Sequence, residues 1–304
     1  MLQRFLIKLQ LTNFFQALTE KLPAGVGYML LSALSFSMMA VCVKAVSLYG
    51  IPVLEIVAAR SLVSLVLSYI DIKRKRISIW GNNKVLLLAR GGVGALSLIC
   101  VYYAVITLPL AEATVLQYTY PVFTALIALW VLKENIQLAS IYCFIISISG
   151  LAVMVSPDIG FDSTERLSLF SIVVALIGAF GSAVAYVIVR ALSRSDDVSV
   201  IIIYFPLIAF PLSVLMLGDD FIFPDIESAA LLILVGIFTQ IGQFGLTKAM
   251  SVEKAGKVVA YSYIQVVFAV LFGWWVFSET PTLWTVLGGA MVILGALVNT
   301  LYKK

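Results

Sequence analysis

The chain has 304 residues, of which 62% are hydrophobic and only 12% are charged, and its mean hydropathy is +1.08. A soluble domain of this size needs a charged surface that this composition does not provide, so the sequence predicts an integral membrane protein. The formal net charge of +4 is small and no basic domain is present, which argues against nucleic-acid binding.

Residue types suited to acid–base or metal chemistry are scarce. The chain has no histidine, which removes the commonest general base and metal ligand. Cys42, Cys100 and Cys143 each lie inside an apolar run, without the paired spacing of a metal site or a disulfide framework. No G-x-x-x-x-G-K-[ST] sequence is present, so ATP is not expected to act directly. We therefore expect no enzyme, no metal site and no cofactor.

The first segment, residues 1–22, predicts an amphipathic helix in the cytoplasmic membrane interface. Its apolar residues fall roughly on one helical face, with Arg4 and Lys8 off that face. A cleaved signal peptide is the alternative. It is disfavoured because the apolar run is interrupted and no clear small-residue cleavage site follows.

Ten apolar segments follow, each near the roughly 20 residues that a helix needs to cross a bilayer. Glycine or proline marks several of the breaks, as at Gly50, Pro52, Pro109 and Pro157. The connections are too short to hold a soluble domain. The predicted spans are 25–47, 52–71, 84–107, 113–132, 138–156, 168–192, 198–217, 229–250, 257–277 and 282–301.

Basic residues predict the orientation of these spans. If the N-terminus is cytoplasmic, sixteen lysines and arginines belong to the cytoplasmic segments, whereas the external segments carry only Arg166. This distribution follows the positive-inside rule. With an even number of spans, it predicts a multi-pass protein with both termini in the cytoplasm, and a bacterial inner membrane is the default location.

The chain contains an internal repeat. When Glu279 is aligned with Glu134, the stretch 275–279 falls on 130–134 without a gap. The matched units begin at the fourth and ninth spans, an odd offset of five, so the two copies cross the membrane in opposite directions. The sequence thus predicts an inverted five-plus-five repeat, with residues 23–157 and 168–304 as the halves and 158–167 as an external linker.

Several residues in these copies resemble a known family, the EamA-type branch of the drug/metabolite transporter superfamily. The resemblance rests on the Tyr120–Phe123 stretch, on Arg60, and on the following acidic and glycine positions: Glu134, Gly150, Glu279, Gly288, Gly289 and Gly295. It covers residues from about 25 to 300. Val266 departs from the pattern, because the second copy has no proline at this point to kink its span.

The resemblance implies a ten-helix carrier that commonly exports small metabolites. It places spans 1, 3, 4, 6, 8 and 9 around a central cavity and spans 5 and 10 at the periphery. Independently of the family, Glu134 and Glu279 each precede a new helix, so we expect each to cap the N-terminus of the helix that follows it.

Charged residues inside the spans are candidates for the solute site, because charge is costly in hydrocarbon. Lys44 and Glu55 could pair across a short turn or lie separately at the interface, and Lys44 could instead contact solute. Arg60 lies deeper and is either a structural hydrogen-bond donor or a group that senses solute charge. For Arg90 we favour snorkelling to the nearby cytoplasmic interface. With no acidic residue predicted near the midplane, the cavity favours neutral, zwitterionic or anionic solutes.

Neutral polar residues complete the candidate site. A mostly apolar pocket with a few placed amides and phenols is typical of small-solute binding. The alternative is that such residues hydrogen-bond across packed helices. The full set of candidate binding residues is Gln117, Tyr120, Arg60, Gln243, Tyr261, Gln265, Tyr186, Tyr102 and Lys44.

These observations favour a secondary transporter that moves a small metabolite, such as an amino acid or organic acid, by alternating access, as an exporter or exchanger. A membrane channel or a non-transporting membrane scaffold is the alternative. The expected partners are the small-molecule solute and the lipid bilayer, with no nucleic acid. A monomer is expected, and a dimer is possible.

Overall fold

A computed structural model describes residues 24–107, 116–155, 169–278 and 280–301, and these residues form helices with no strand among them. The predicted interfacial helix (1–22), the predicted linker (158–167) and Glu279 lie outside the described residues. The helices are α1 (Ala24–Ser47), α2 (Val53–Lys75), α3 (Lys84–Thr107), α4 (Tyr120–Val131), α5 (Leu138–Val155), α6 (Leu169–Leu192), α7 (Val198–Leu217), α8 (Ile226–Val252), α9 (Ala255–Ala260), α10 (Ile264–Phe277) and α11 (Leu283–Leu301).

Seven helical stretches are long and apolar enough to cross a membrane. They are α1, α2, the start of α3, α6, α7, α8, and the combined stretch Ala255–Phe277 that contains α9 and α10. Three shorter apolar helices, α4, α5 and α11, complete the described set. The protein is therefore a multi-pass helical membrane protein, and its helices fall where the apolar segments predicted them.

Short polar residues set the starts of two helices. The Asp197 carboxylate accepts a 2.9 Å hydrogen bond from the backbone N–H of Ser199 at the start of α7, and Asp225 does the same with Ser228 at the start of α8. Hydrogen bonds from Ser228 lower the pKa of Asp225. Helix α7 contains two prolines, of which Pro206 is buried and Pro211 is exposed.

The helix ends gather at two faces of the bundle. At one face, which we call the basic end, α1, α3 and α7 begin and α2, α6 and α8 end. The Lys75 ammonium lies 2.9 Å from an oxygen of Asp197, which joins the end of α2 to the start of α7. The Asn82 side chain donates to the Ser195 carbonyl, which joins the start of α3 to the loop after α6. Successive helices therefore run in alternating directions here.

At the opposite end the complementary helix ends meet. The Tyr49 hydroxyl, after α1, donates a 2.8 Å hydrogen bond to Glu227 at the start of α8. The Glu55 carboxylate, in the first turn of α2, accepts a 3.0 Å hydrogen bond from the backbone N–H of Ile222. Glu55 is buried and does not pair with Lys44, whose ammonium lies 4.6 Å from the ring centroid of Phe277. The two side chains therefore form no ion pair: one Glu55 oxygen accepts from Ile222, and the other is buried without a hydrogen-bond partner.

Helix packing follows an exchange pattern between the two halves. Helices α1, α2, α3, α4 and α5 correspond to α6, α7, α8, α10 and α11 of the second half. Helix α1 packs on α8 and on α10, and its counterpart α6 packs on α3 and on α4. Helix α2 contacts α8 and its counterpart α7 contacts α3, while α2 also packs on α7 and α5 packs on α11. If each helix of the first half is exchanged for its counterpart in the second, the first six contacts map onto one another in three pairs, and the α2–α7 and α5–α11 contacts map onto themselves.

The α5–α11 interface repeats this exchange at the level of residues. The alignment that places Glu279 on Glu134 also places Gly288 on Cys143 and Gly295 on Gly150. A Cβ at Gly150 would lie 2.7 Å from the Gly288 carbonyl oxygen, and a Cβ at Gly295 would lie 3.2 Å from the Cys143 carbonyl oxygen. Such reciprocal contacts are typical of surfaces related by a two-fold axis.

Both copies of the repeated unit contain a break in the helix. A turn at Tyr118 and Thr119 precedes α4, and a 3-10 turn at Tyr261–Tyr263 separates α9 from α10. The second break forms without a proline, so the lack of proline at Val266 does not remove it. The rings of Tyr118 and Tyr263, which the repeat alignment equates, stack at 5.9 Å, and the Tyr263 hydroxyl donates to the Tyr118 carbonyl at 2.9 Å.

The largest apolar core lies at the basic end. It includes the start of α3, the end of α6 and the start of α7, together with the α8–α9 region, and its fully buried side chains include Leu87, Leu192, Ile201, Met250 and Val258. The apolar clusters toward the opposite end are smaller. Among the described residues, the basic end is therefore the tightly packed one.

Candidate functional site

A cavity of about 240 Å³ lies in the interior of the bundle, between the basic end and the opposite end. Its walls come from α1, α2, α3, α4, α6, α7, α8 and α10, and no described residue of α5 or α11 lines it. Six of the predicted binding residues line it together: Gln117, Tyr120, Arg60, Gln243, Gln265 and Tyr186. A larger groove between α4 and α5 is almost wholly apolar, so it lacks the polar groups that would fix a solute.

Of the remaining three predicted residues, two lie elsewhere and the side chain of the third is outside the described part of the structure. Tyr261 is buried in the 3-10 turn and does not line the cavity. Lys44 is an exposed residue at the opposite end, over Phe277. Tyr102 belongs to α3, but its side chain is outside what the structure describes. Gln240 donates a 2.8 Å hydrogen bond to Ser68 of α2, so this amide joins helices whereas Gln243 faces the cavity.

Arg60 and Arg90 dominate the chemistry of the cavity. They are 8% and 3% exposed, and their guanidinium carbons lie 5.7 Å and 5.2 Å from the ring centroid of Phe205. The prediction that Arg90 snorkels to the interface is wrong. The chain of α7 crosses α3 so closely at Gly91 that an added Cβ would lie 2.4 Å from the Tyr204 carbonyl oxygen. This packing covers the route to the basic end, and the side chain runs into the cavity instead.

The two guanidinium groups have few partners. Arg90 donates one long hydrogen bond, 3.4 Å, to the Gln243 amide oxygen, and the Nε atoms of both arginines are buried without a hydrogen-bond partner. Within the described part of the chain, neither arginine forms an ion pair and no aspartate or glutamate lines the cavity. Buried charge without a counter-charge is costly, so the cavity is arranged to attract negative charge.

Three tyrosines also line the cavity. The rings of Tyr120 and Tyr186 lie 5.2 Å apart, and Tyr118 lies 6.3 Å from Tyr120. Phenol hydroxyls can donate or accept hydrogen bonds while their rings contact apolar parts of a solute. The cavity is thus lined by guanidinium, amide and phenol groups together, a combination that is suited to binding a solute rather than to breaking a bond.

Glu134 lies outside the cavity, at the basic end, and does not cap α5 as predicted. Its carboxylate accepts from Arg190 Nε at 2.8 Å, from Arg194 at 3.0 Å and from the backbone N–H of Ala255 at 2.9 Å. Arg190 also donates to the Met250 carbonyl at the end of α8. Glu134 therefore caps α9, a helix of the other half, because the fold brings that helix start and two arginines closer than the local N-terminus.

Sequence reasoning missed part of the cavity. Phe205 of α7 and Phe36 of α1 each lie in an apolar helix, and no sequence pattern distinguishes either from the other apolar residues around it. Tyr118 is a polar residue of the fourth span, and its position before Pro121 could have identified it as a residue at a helix break. Arg90 was recognisable as a buried charge, but its direction depends on the packing of α7.

The fold and the cavity define a class: a multi-pass helical membrane protein with an internal cavity lined by arginines and aromatic residues. The family model of the EamA-like transporter family matches residues 23–156 and again residues 169–301. This chain therefore belongs to the EamA-like transporter family.

Curated relatives and a solved structure agree with this assignment. The pseudopaline exporter CntI of Pseudomonas aeruginosa is 31% identical over 286 residues, covering 94% of this chain and 99% of that protein. Solute carrier family 35 member G1 of Homo sapiens is 32% identical, covering 92% of this chain and 79% of its own length. The S-adenosylmethionine uptake transporter of Rickettsia prowazekii is 25% identical over 66% of each chain.

A solved crystal structure matches 91% of this chain with a TM-score of 0.82 at 17% sequence identity, which supports the fold alone. Taken with the family membership, these relatives make the protein a membrane transporter of small metabolites rather than an enzyme.

Proposed function

We propose that this protein is a secondary transporter that carries a small anionic or zwitterionic metabolite, such as an organic acid or amino acid, by alternating access through the central cavity. The observation that carries the proposal is the pair Arg60 and Arg90, buried in a cavity with no acidic residue in its described lining. The relatives include an exporter and an uptake transporter by name, so they leave both directions open. We favour export or exchange.

We further propose a ten-span inverted repeat, with residues 23–157 and 168–304 as halves joined by an external linker at 158–167. Three observations support this architecture: the exchange pattern of helix contacts, the reciprocal glycines Gly150 and Gly295, and the double family match. In this arrangement the seven long stretches and three short apolar helices are the ten spans. Residues 1–22 would form the interfacial helix.

The basic end is proposed to face the cytoplasm, with both termini there, in a bacterial inner membrane. The positive-inside rule supports this orientation, since lysines and arginines flank the helices at that end. Fusing a phosphatase or a fluorescent reporter that folds only on one side of the membrane to each terminus would test it. Activity of the periplasm-specific reporter at either terminus would contradict the orientation.

Alternating access is supported by the contrast between the two ends. The core at the basic end is tightly packed, and Glu134 joins the α4–α5 connection to α6 and α9 across it. A channel would need an open path there. In the proposed cycle this conformation faces outward, and solute binding allows the Glu134 contacts to separate so that the basic end opens.

Thiol labelling would test the alternation. On a chain whose three cysteines are replaced by alanine, Ser182→Cys places a reporter in the cavity and Ser140→Cys places a buried control at the basic end. We expect a membrane-impermeant reagent to reach Ser182→Cys from one side at a time, with the side depending on solute. Simultaneous labelling from both sides would indicate a channel.

Transport itself would be measured in proteoliposomes with pooled organic acids and amino acids. We expect saturable uptake that Arg60→Gln and Gln243→Ala abolish. Arg74→Gln, an exposed arginine on the same helix as Arg60, is the matched control and should leave uptake intact. Loss of uptake in the control, or uptake that never saturates, would contradict the proposal.

A further inference from the structure

The two cavity arginines flank a single apolar ring. Arg60 comes from α2, Arg90 from α3 and Phe205 from α7, and both guanidinium carbons lie within cation–π distance of the ring centroid. The arginines therefore lie close enough for one small molecule to reach both. Phe205 offers an apolar surface beside both guanidinium groups.

The charges require more than one acidic group for balance. A single carboxylate bound at one guanidinium would leave the other buried cation without a counter-charge, and a buried unpaired charge is strongly unfavourable. Apart from the two arginines, the polar groups of the described lining are neutral, namely amides, phenols and a hydroxyl. An amino group on the solute would add a third cation to the same space, so a zwitterion fits less well than a dianion.

The size of the cavity limits the solute. A volume of about 240 Å³ holds roughly eight water molecules at about 30 Å³ each, which is below the range of drug-sized ligands. Short dicarboxylates have a comparable number of non-hydrogen atoms. Their shape, with two charged ends and an apolar middle, matches two guanidinium groups flanking an aromatic ring.

We propose that the cavity selects small dianions of the dicarboxylate class, with one acidic group held by Arg60, the other by Arg90, and the hydrocarbon between them against Phe205. The inference rests on the proposed transport function for its biological meaning, but the binding site it describes is testable without transport. Arg90 donates only the long 3.4 Å hydrogen bond to Gln243, so its other guanidinium N–H groups remain available to a carboxylate.

The test compares dicarboxylates with their half-amides, which keep the shape and lose one charge. Malonate, succinate and glutarate, each against its half-amide, would be titrated into the purified full-length protein at constant ionic strength, with the thermal midpoint as readout. We expect at least one dicarboxylate to bind tenfold or more tightly than its half-amide. 4-Aminobutyrate, a zwitterion of similar length, should bind no better than the half-amides.

Arginine variants test whether each of the two cavity arginines binds one acidic group of the ligand. In Arg60→Gln and in Arg90→Gln one cation remains, so the preference for the dicarboxylate over its half-amide should fall to about one. Arg74→Gln should retain the full preference. A change in this ratio is not expected from a merely structural defect, which would weaken both ligands alike.

Two results would overturn the dianion site: equal binding of every dicarboxylate and its half-amide, or a preference that persists in both arginine variants. Transport separates this proposal from the broader one. Saturable uptake of a neutral or zwitterionic solute without dianion binding would overturn the dianion site and leave the carrier function intact. Dianion selectivity without any uptake or exchange would support the site and contradict the carrier function.

Discussion

Two buried arginine settings in this molecule differ in what surrounds the charge. Arg190, at the basic end, has a side chain that is 12% exposed, pairs with Glu134 at 2.8 Å and also bonds the Met250 carbonyl. Arg90, in the cavity, is 3% exposed and has one hydrogen bond at 3.4 Å. Both are arginines near the basic end of a helix, yet only Arg190 has its charge balanced by the protein.

This difference distinguishes an arginine that stabilises the fold from an arginine that is available to bind a ligand. A paired, hydrogen-bonded ion pair holds elements together, and removing one member leaves an unpaired buried charge. An unpaired arginine facing a cavity destabilises the empty protein, and its charge becomes useful when a ligand supplies the partner. The sign of the stability change on removing each arginine therefore reports its role.

Breaking the Glu134 cluster is the most damaging change we predict. Glu134→Gln keeps the side-chain size but leaves Arg190 without its anion, which should cost about 3–5 kcal/mol and prevent folding or sharply lower the thermal midpoint in detergent. The double variant Glu134→Gln with Arg190→Met removes both charges and should recover much of the loss. A single variant as stable as the unmodified protein would refute the structural role.

Removing the cavity charge should have the opposite effect on stability. Arg90→Gln is expected to leave the thermal midpoint of the ligand-free protein unchanged or raised, while uptake falls to background. Arg190→Gln is the matched comparison, since it removes the same type of group from a paired setting and should lower the midpoint. The contrast fails if both variants lose stability by similar amounts.

A glycine beside Arg90 allows an intermediate test. A Cβ at Gly94 would lie 2.6 Å from an Arg90 guanidinium nitrogen and 2.9 Å from the Phe205 ring, so Gly94→Ala displaces the end of the arginine. Because a long side chain can shift, we expect little loss of stability but roughly tenfold weaker solute affinity. Gly92→Ala meets no atom within 4 Å and is the control. Equal affinities for the two alanine variants would show that Arg90 need not hold its position.

The smallest predicted effect concerns the partly exposed ion pair between Lys75 and Asp197 at the basic end. Partial burial alone would raise the pKa of Asp197, but the Ser199 N–H and the Lys75 ammonium outweigh it and lower the pKa below its ordinary value. Its contribution to stability is therefore present above about pH 4 and is lost as the pH falls through the lowered pKa.

Asp197→Asn keeps a residue able to cap α7 and removes this charge. Because the Lys75 and Asp197 side chains are 34% and 39% exposed, the change should cost no more than about 1 kcal/mol at neutral pH. The difference in thermal midpoint between the two proteins should vanish in acid. A difference that is independent of pH would assign the stabilisation to the cap geometry instead of the charge.

Part of this picture follows from local sequence. The apolar segments matched the helices because hydrophobic length is a property of the chain itself. Gln117, Tyr120 and Gln243 were found because a polar residue inside an apolar helix must face another helix or a cavity. The same reasoning could not separate Gln240, which bonds Ser68, from Gln243, which faces the cavity, since both lie on one helix face.

The amino-acid sequence by itself determined that the chain lies in a membrane and which of its segments are apolar helices, and it predicted that the two halves repeat. These depend on hydrophobicity and spacing, which need no knowledge of neighbours. Only the tertiary structure decided that Arg90 turns inward, that Phe205 lies beside two guanidinium groups, and that Glu134 binds the start of α9. The direction and partner of a charged side chain depend on which helix covers it, and that information is absent from the residues flanking it in the sequence.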